Sequence, residues 1–153
     1  MVFEYILTFT TLTIYTMVRH FWTDIHELKV DSRRNHMMYG VILTLGIISG
    51  EIFTLIVVGL LTILFMKILS LAEENQKAIV FGDGDKEILT WSIPGIAIVF
   101  GFQLAVLFVF LIAISFFILA WLRHKKKIPK EKFPGLILLA ISYIIILIIG
   151  WFF

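Results

Sequence analysis

The stretch Val106–Leu122, VLFVFLIAISFFILAWL, decides the fold class because it is apolar on every face of a helix. Ile141–Ile149 has the same character. Strands of a membrane β-barrel would alternate apolar and polar residues instead. The whole chain of 153 residues is 60% hydrophobic and 16% charged, which is too apolar for a soluble domain of this length. We therefore expect an all-α fold, a polytopic membrane helix bundle that forms a single domain over residues 1–153.

The apolar residues fall into four runs, which cover residues 2–22, 37–71, 88–122 and 133–153. One crossing needs about 20 residues, so the first and last runs each predict one span. Each middle run holds roughly 35 residues and would be about 50 Å long as one helix, against a hydrocarbon core of about 30 Å. We therefore expect two hairpins, with turns at Gly50-Glu51 and within Gly101–Gln103. The prediction is six transmembrane helices.

The basic residues predict the orientation of these helices. All 13 lysines and arginines lie in or near the loops 23–36, 72–87 and 123–132, whereas the opposite side carries Glu4 and Glu51. Cytoplasmic loops of membrane proteins are enriched in lysine and arginine. We therefore expect a multi-pass protein of the plasma membrane with these three loops in the cytoplasm and both termini outside.

Two acidic positions fall at the predicted cytoplasmic edge. Asp24 follows the aromatic Phe21-Trp22, and Asp85 lies in Phe81–Glu87, FGDGDKE, where an apolar segment begins. Two neighbouring carboxylates cannot both ionise easily, so one holds a proton. One aspartate can then take a proton from water while the other protonates the carbonyl oxygen or the leaving amine of a peptide bond. Asp24 and Asp85 are the predicted catalytic pair, with no cofactor.

The glycines around Asp85 fit this hypothesis, because Gly82 and Gly84 can adopt φ > 0 and let an extended substrate approach. A purely structural role remains an alternative for each aspartate. Gly-Asp-Gly-Asp is a common loop sequence, and Asp is a common N-cap residue of helices. The acidic residues could also hold Ca²⁺ or Mg²⁺, although their spacing is not that of an EF-hand. No metal site is predicted from the four histidines, which lack the spacing of a ligand set.

Together these features resemble the type IV prepilin and preflagellin peptidases, membrane aspartyl proteases that remove class III signal peptides. In that family one Asp follows the first span in a pattern that Asp24–Val30, DIHELKV, resembles. The second Asp lies in Gly-x-Gly-Asp, here Gly82–Asp85. The basic loop that runs into Ile128-Pro129 and Phe133–Gly135 before the last span is also similar. The resemblance covers nearly the whole chain in layout.

The sequence departs from the family pattern in two places. Glu87 stands two residues after the second Asp, where the family commonly has lysine, and Lys86 comes one residue early. Asp31-Ser32 replaces a common Pro-Asn, which favours the archaeal branch of the family. The chain has no cysteine, so we expect neither the zinc-binding segment nor the N-methyltransferase activity of the bifunctional bacterial enzymes.

The resemblance implies a substrate. A pilin-like or archaellin precursor, with a short basic leader before a long apolar helix, would be cut after a glycine at the cytoplasmic face. The predicted substrate-binding residues are Gly82, Asp83, Gly84, Glu73, Glu74 and Glu87, of which the acidic ones would attract the lysines and arginines of the leader. Membrane lipid is the other expected partner, nucleic acid is not, and homo-oligomerisation stays open.

Two other functions remain as alternatives. The presenilin-like intramembrane proteases share Gly-x-Gly-Asp, but they place Tyr before the first Asp and carry a later Pro-Ala-Leu. Here Thr23 precedes Asp24, and the later motif is missing. The other alternative is a non-enzymatic membrane subunit or a small ion transporter with an acidic cytoplasmic loop. Transporters usually keep their charges at the midplane of broken helices, whereas the charges of this chain are at the edge.

Overall fold

The computed structural model describes residues 2–27, 32–76, 83–125 and 135–152, and these residues form six α-helices. In chain order the helices are α1 (Val2–Glu27), α2 (Ser32–Ile48), α3 (Ile52–Gln76), α4 (Asp83–Phe100), α5 (Phe102–His124) and α6 (Gly135–Phe152). The expected all-α fold and the division of each long apolar run into two helices are confirmed for this part of the chain.

Both predicted turns are made by a glycine in the left-handed region, with φ of +77° at Gly50 and +96° at Gly101. At the end of α2 the N–H of Gly50 donates to Ile47 (3.2 Å) and the N–H of Glu51 donates to Gly46 (2.9 Å), which is the Schellman pattern. At the end of α4 a single bond from the N–H of Gly101 to the carbonyl of Ala97 (3.1 Å) forms the simpler αL cap. Glycine adopts these angles without a Cβ clash, so each turn is encoded locally.

Helix α4 lies at the centre of the bundle and contacts the other five helices. The ring of Phe9 in α1 packs edge-on against Phe100 in α4, with centroids 6.5 Å apart. Further along, His20 of α1 and Trp91 of α4 both hydrogen bond to Asn35 of α2. From the first contact to the second the residue number rises along α1, from Phe9 to His20, and falls along α4, from Phe100 to Trp91. The two helices are therefore antiparallel. The last turn of α1 and the first turn of α4 therefore lie at the same end of the bundle.

Helices α1 and α4 approach closely at Gly95. A Cβ atom added at Gly95 would lie 2.6 Å from Cε2 of Phe9, which is shorter than any ordinary packing contact. Gly95 follows Pro94, and α4 continues past both residues to its end. The bare backbone at this position is thus what allows the buried ring of Phe9 to rest on the central helix.

Gly95→Leu is expected to lower the free energy of unfolding by about 1–3 kcal/mol, because the new side chain overpacks the contact with Phe9. Thermal unfolding of the purified protein in detergent micelles measures this loss. Gly40→Leu is the matched control, since a Cβ at Gly40 meets no atom within 4 Å. Equal melting temperatures for the two variants would contradict the described packing of α1 on α4.

Within the part of the chain that the structure describes, two helices are long and apolar enough to cross a membrane, over Ile52–Asn75 in α3 and Phe102–Leu122 in α5. Only 17% of the apolar window in α3 and 33% of that in α5 is buried inside the bundle. The apolar part of α6, Ile137–Phe152, is shorter. A core helix of a soluble protein would be mostly buried, so these exposed apolar surfaces favour a membrane environment.

Candidate functional site

Carboxylate side chains lie at one end of the bundle, which we call the acidic end: Glu73 and Glu74 near the end of α3, and Asp85 and Glu87 near the start of α4. The two helices are joined there by an ion pair, with Nζ of Lys86 2.6 Å from Oε2 of Glu73. The last turn of α1 reaches the same end, because α1 and α4 are antiparallel. The ends of α1 and α3 and the start of α4 therefore lie at the acidic end.

The two predicted catalytic residues lie at similar levels along the bundle. Asp24 belongs to the last turn of α1, where the structure describes the backbone and not the side chain. Asp85 belongs to the first turn of α4 and is partly buried. Asp24 is about 6 Å along α1 beyond His20, and Asp85 is about 9 Å along α4 beyond Trp91. Since His20 and Trp91 contact the same side chain, both aspartates lie beyond that contact in the direction of the acidic end.

The glycine-rich turn is described only in part. Gly82 lies outside the described residues, and Asp83 is described by its backbone as the first residue of α4. Gly84 does not adopt the φ > 0 that is open to glycine, because it is helical within the first turn of α4. The helix begins earlier than the glycines suggested, so the freedom of Gly84 is not used for a turn.

The predicted substrate-binding carboxylates differ in their surroundings. Glu73 is only 6% exposed and pairs with Lys86, so its charge is already engaged by a cation of the chain itself. Glu74 is exposed and Glu87 is partly buried. These two therefore present more of their surface to an incoming basic segment than Glu73 does.

A buried polar cluster links the three helices next to this end and was missed by the sequence reasoning. His20, Asn35 and Trp91 are each 0% exposed. Oδ1 of Asn35 accepts a hydrogen bond from Nε1 of Trp91 (2.9 Å) and lies 3.0 Å from Nε2 of His20. Because Oδ1 carries no proton, Nε2 of His20 is the donor of the second bond. One side chain of α2 thus holds α1 and α4 together. We call these three residues the Asn35 cluster.

A second polar contact joins α2 to α4 one turn further along α2 than Asn35. The hydroxyl of Tyr39 hydrogen bonds to the hydroxyl of Thr90 and lies 3.4 Å from the backbone carbonyl of Glu87. Thr90 also donates to that carbonyl at 2.7 Å. The first two turns of α4 are therefore fixed to α2 by hydrogen bonds that start only two residues after Asp85.

The side chains that the structure describes include no group of three or more histidines, aspartates or glutamates that could hold a metal ion. The side chains of Asp24 and Asp83 are not among those described. The arrangement of the acidic end supports acid–base chemistry by carboxylates. Comparison of the chain with protein-family models, with characterised proteins and with solved structures gives no match.

Proposed function

We propose that this chain is a membrane-embedded aspartic endopeptidase of the prepilin and preflagellin peptidase type, which removes the basic leader of pilin-like or archaellin precursors. One observation carries the proposal. Asp24 and Asp85 stand on antiparallel helices, at similar levels, beside a buried cluster that joins those helices. A two-aspartate mechanism requires this kind of juxtaposition, because both carboxyl groups must reach one peptide bond.

The proposed reaction needs only the two carboxyl groups and water. The ionised aspartate removes a proton from water while the water oxygen attacks the carbonyl carbon of the substrate. The protonated aspartate donates to the carbonyl oxygen, which gives a gem-diol. The aspartate that took the proton of water then gives it to the leaving nitrogen as the C–N bond breaks, and the other aspartate regains a proton from one hydroxyl of the gem-diol as that hydroxyl becomes the carbonyl of the new carboxyl group. The products are the free leader and the mature protein, and the pair returns to one proton shared between two carboxyl groups.

The charge of the acidic end supports a basic leader as the substrate. Glu74 and Glu87 present carboxylates to the surface at the acidic end, and opposite charges attract at short range. Glu73 has a different role in this proposal, because Lys86 occupies its carboxylate and ties α3 to α4. The leader would therefore be attracted by Glu74 and Glu87, while Glu73 holds the framework of the site.

The proposal includes six transmembrane spans, with the acidic end in the cytoplasm and the active site facing it. Large apolar side chains are exposed along the bundle, among them Phe53, Phe110 and Phe117, and a lipid environment would cover them. Basic residues at or near the acidic end include Arg34 and Lys86, and such residues favour the cytoplasmic side.

This orientation is testable with single cysteines, because the chain has none of its own. Ser49→Cys, in the turn between α2 and α3, is expected to react with a membrane-impermeant maleimide added to intact cells. Asn75→Cys, exposed at the acidic end of α3, is expected to react only after the membrane is opened. The reverse pattern would contradict the orientation, and labelling of both residues in intact cells would contradict the crossing of α3.

The activity is tested by co-expressing the chain with an archaellin-like precursor and following the precursor by mass spectrometry. We expect a product shortened by the length of the leader, cut after the glycine that precedes the apolar segment. A precursor in which that glycine is replaced by leucine is the matched control and should stay uncut. If well-folded protein leaves pilin-like and archaellin-like precursors uncut, the peptidase proposal fails.

A further inference from the structure

One face of α5 carries a continuous stripe of exposed apolar side chains. The stripe consists of Phe110, Ile114, Phe117 and Trp121. These residues follow one another at the three- and four-residue intervals that place side chains on the same side of a helix. All four are exposed, and the least exposed of them, Ile114, is 40% exposed. We call these four residues the α5 stripe, which extends for about 16 Å along the helix axis.

A lysine stands at one end of the α5 stripe. The N–H of Lys125 donates to the carbonyl of Trp121 (3.1 Å), so the last helical turn reaches Lys125. Its Nζ lies 4.2 Å from the centre of the Trp121 ring, which is a cation–π contact. Lys125 is exposed, and no carboxylate among the described side chains pairs with it. The stripe therefore ends in an ammonium group that is open to an anion, and Lys126 and Lys127 follow it directly in the sequence.

The length of α5 places this ammonium group at a membrane surface. Ile93, before Gly101, and Val109, equally far after it, line one cavity of about 160 Å³, so the chain reverses at Gly101 and α5 runs back alongside α4. From the start of α5 to Trp121 the helix rises by about 28 Å, close to the roughly 30 Å of a hydrocarbon core. Trp121 thus falls where the hydrocarbon meets the headgroups, which is the level that tryptophan prefers.

The order of these groups matches the order of groups in a phospholipid. One leaflet contributes about half of the hydrocarbon core, roughly 15 Å, and the α5 stripe has nearly the same length. Acyl chains would cover the stripe, and the phosphate would meet Lys125 at its end, because opposite charges attract. Another membrane helix fits this surface less well. Helix–helix interfaces in membranes are enriched in small residues, whereas the stripe has three aromatic side chains and an isoleucine.

We propose that the α5 stripe and Lys125 form a binding site for an anionic phospholipid. Its acyl chains lie along the stripe, and its phosphate binds the ammonium group that is held over the ring of Trp121. An anionic headgroup is favoured over a zwitterionic one because consecutive basic residues at a membrane surface attract net negative charge. This inference goes beyond the proposed peptidase function and does not rest on it, since it uses only the length and the exposed face of α5.

Native mass spectrometry of the purified protein measures this lipid preference. The probes are phosphatidylglycerol and phosphatidylcholine with the same acyl chains, and the readout is the ratio of their dissociation constants for the first bound lipid. We expect the wild type to bind phosphatidylglycerol at least about fivefold more tightly, and Lys125→Gln to reduce this preference by about fivefold, the contribution of one basic residue at a membrane surface. Trp121→Leu keeps an apolar end to the stripe but releases the ammonium group, so a smaller reduction is expected.

Lys67→Gln is the matched control, because it removes the same charge from another exposed lysine. Lys67 lies within the apolar part of α3 and not at its end, since the exposed Ile68 and Leu71 follow it. The preference for phosphatidylglycerol should be unchanged in this variant. Lys125→Arg keeps a cation at the end of the α5 stripe and should also retain the preference.

The outcomes test the site and its occupant separately from any peptidase activity. Equal dissociation constants for the two lipids in the wild type would overturn the proposal, and so would equal losses of preference in Lys125→Gln and Lys67→Gln. Displacement of phosphatidylglycerol by millimolar inorganic phosphate would show a bare anion site that makes no use of the stripe, and would overturn it as well. A preference that is lost in Lys125→Gln but kept in Lys67→Gln and Lys125→Arg supports the lipid site, whether or not the chain cleaves a precursor.

Discussion

Asp85→Asn is expected to reduce precursor cleavage by about 10²–10⁴-fold, because it removes one of the two groups that move protons in the reaction. Asp24→Asn should cause a loss of the same size. Asparagine keeps the shape and polarity of aspartate, so neither change should disturb the helices around the acidic end. The measurement is the rate of precursor shortening at equal amounts of membrane-inserted protein, followed on gels after expression is started.

Two further variants make this comparison decisive. Glu51→Gln removes a carboxylate near the start of α3, far from the acidic end, and is expected to keep wild-type activity. Asp83→Asn should keep most of the activity, because Asp83 is not part of the proposed pair. Equal losses for Asp24→Asn, Asp83→Asn and Asp85→Asn would indicate an ion-binding site instead. Near-full activity of Asp24→Asn or Asp85→Asn would end the two-aspartate mechanism.

The parts of the fold that follow from local rules could be predicted from the sequence. Gly50 and Gly101 interrupt apolar runs that are too long for one crossing, and each has the positive φ that only a glycine adopts easily. The same freedom is not used at Gly84, where the acidic residues around it begin a helix instead of a turn. The length of an apolar run indicates that it must contain more than one helix, and the capping hydrogen bonds of the backbone determine the residue at which each helix ends.

The Asn35 cluster could not be predicted, because its meaning depends on three helices at once. Asn35 stands between Arg34 and His36 and looks like one polar residue of a loop. Trp91 lies in an apolar run, where nothing marks its N–H as a donor to another helix. A lateral cavity of about 540 Å³ between α2, α3 and α4 could not be predicted either, since it reflects how these three helices fail to fill the space between them. The sequence was enough to identify the candidate aspartates, but it did not predict the contacts that position their helices.

Asn35→Leu is the second change for which we expect a large effect. Leucine fills a similar volume but accepts no hydrogen bond, so the N–H groups of His20 and Trp91 would lose the acceptor that they share in a fully buried place. Each buried donor left without a partner costs about 1–3 kcal/mol. The protein should therefore unfold at a lower temperature in detergent. Cleavage should also fall, because α1 and α4 carry the two aspartates and would no longer be fixed to the same side chain.

Trp91→Phe tests the same contact from the side of α4. It keeps an aromatic side chain at the centre of the bundle but removes the N–H donor together with part of the ring volume, so we expect a loss of about 1–3 kcal/mol from the lost hydrogen bond and the small cavity together, smaller than that of Asn35→Leu. Thermal unfolding of the two variants and their double mutant gives the coupling between the residues, which for contacting partners is about 0.5–3 kcal/mol. Additive losses, or an Asn35→Leu variant as stable as the wild type, would show that the cluster does not hold α1 and α4 together. The positions of Asp24 and Asp85 would then depend on apolar packing alone, through contacts such as that of Phe9 with Gly95.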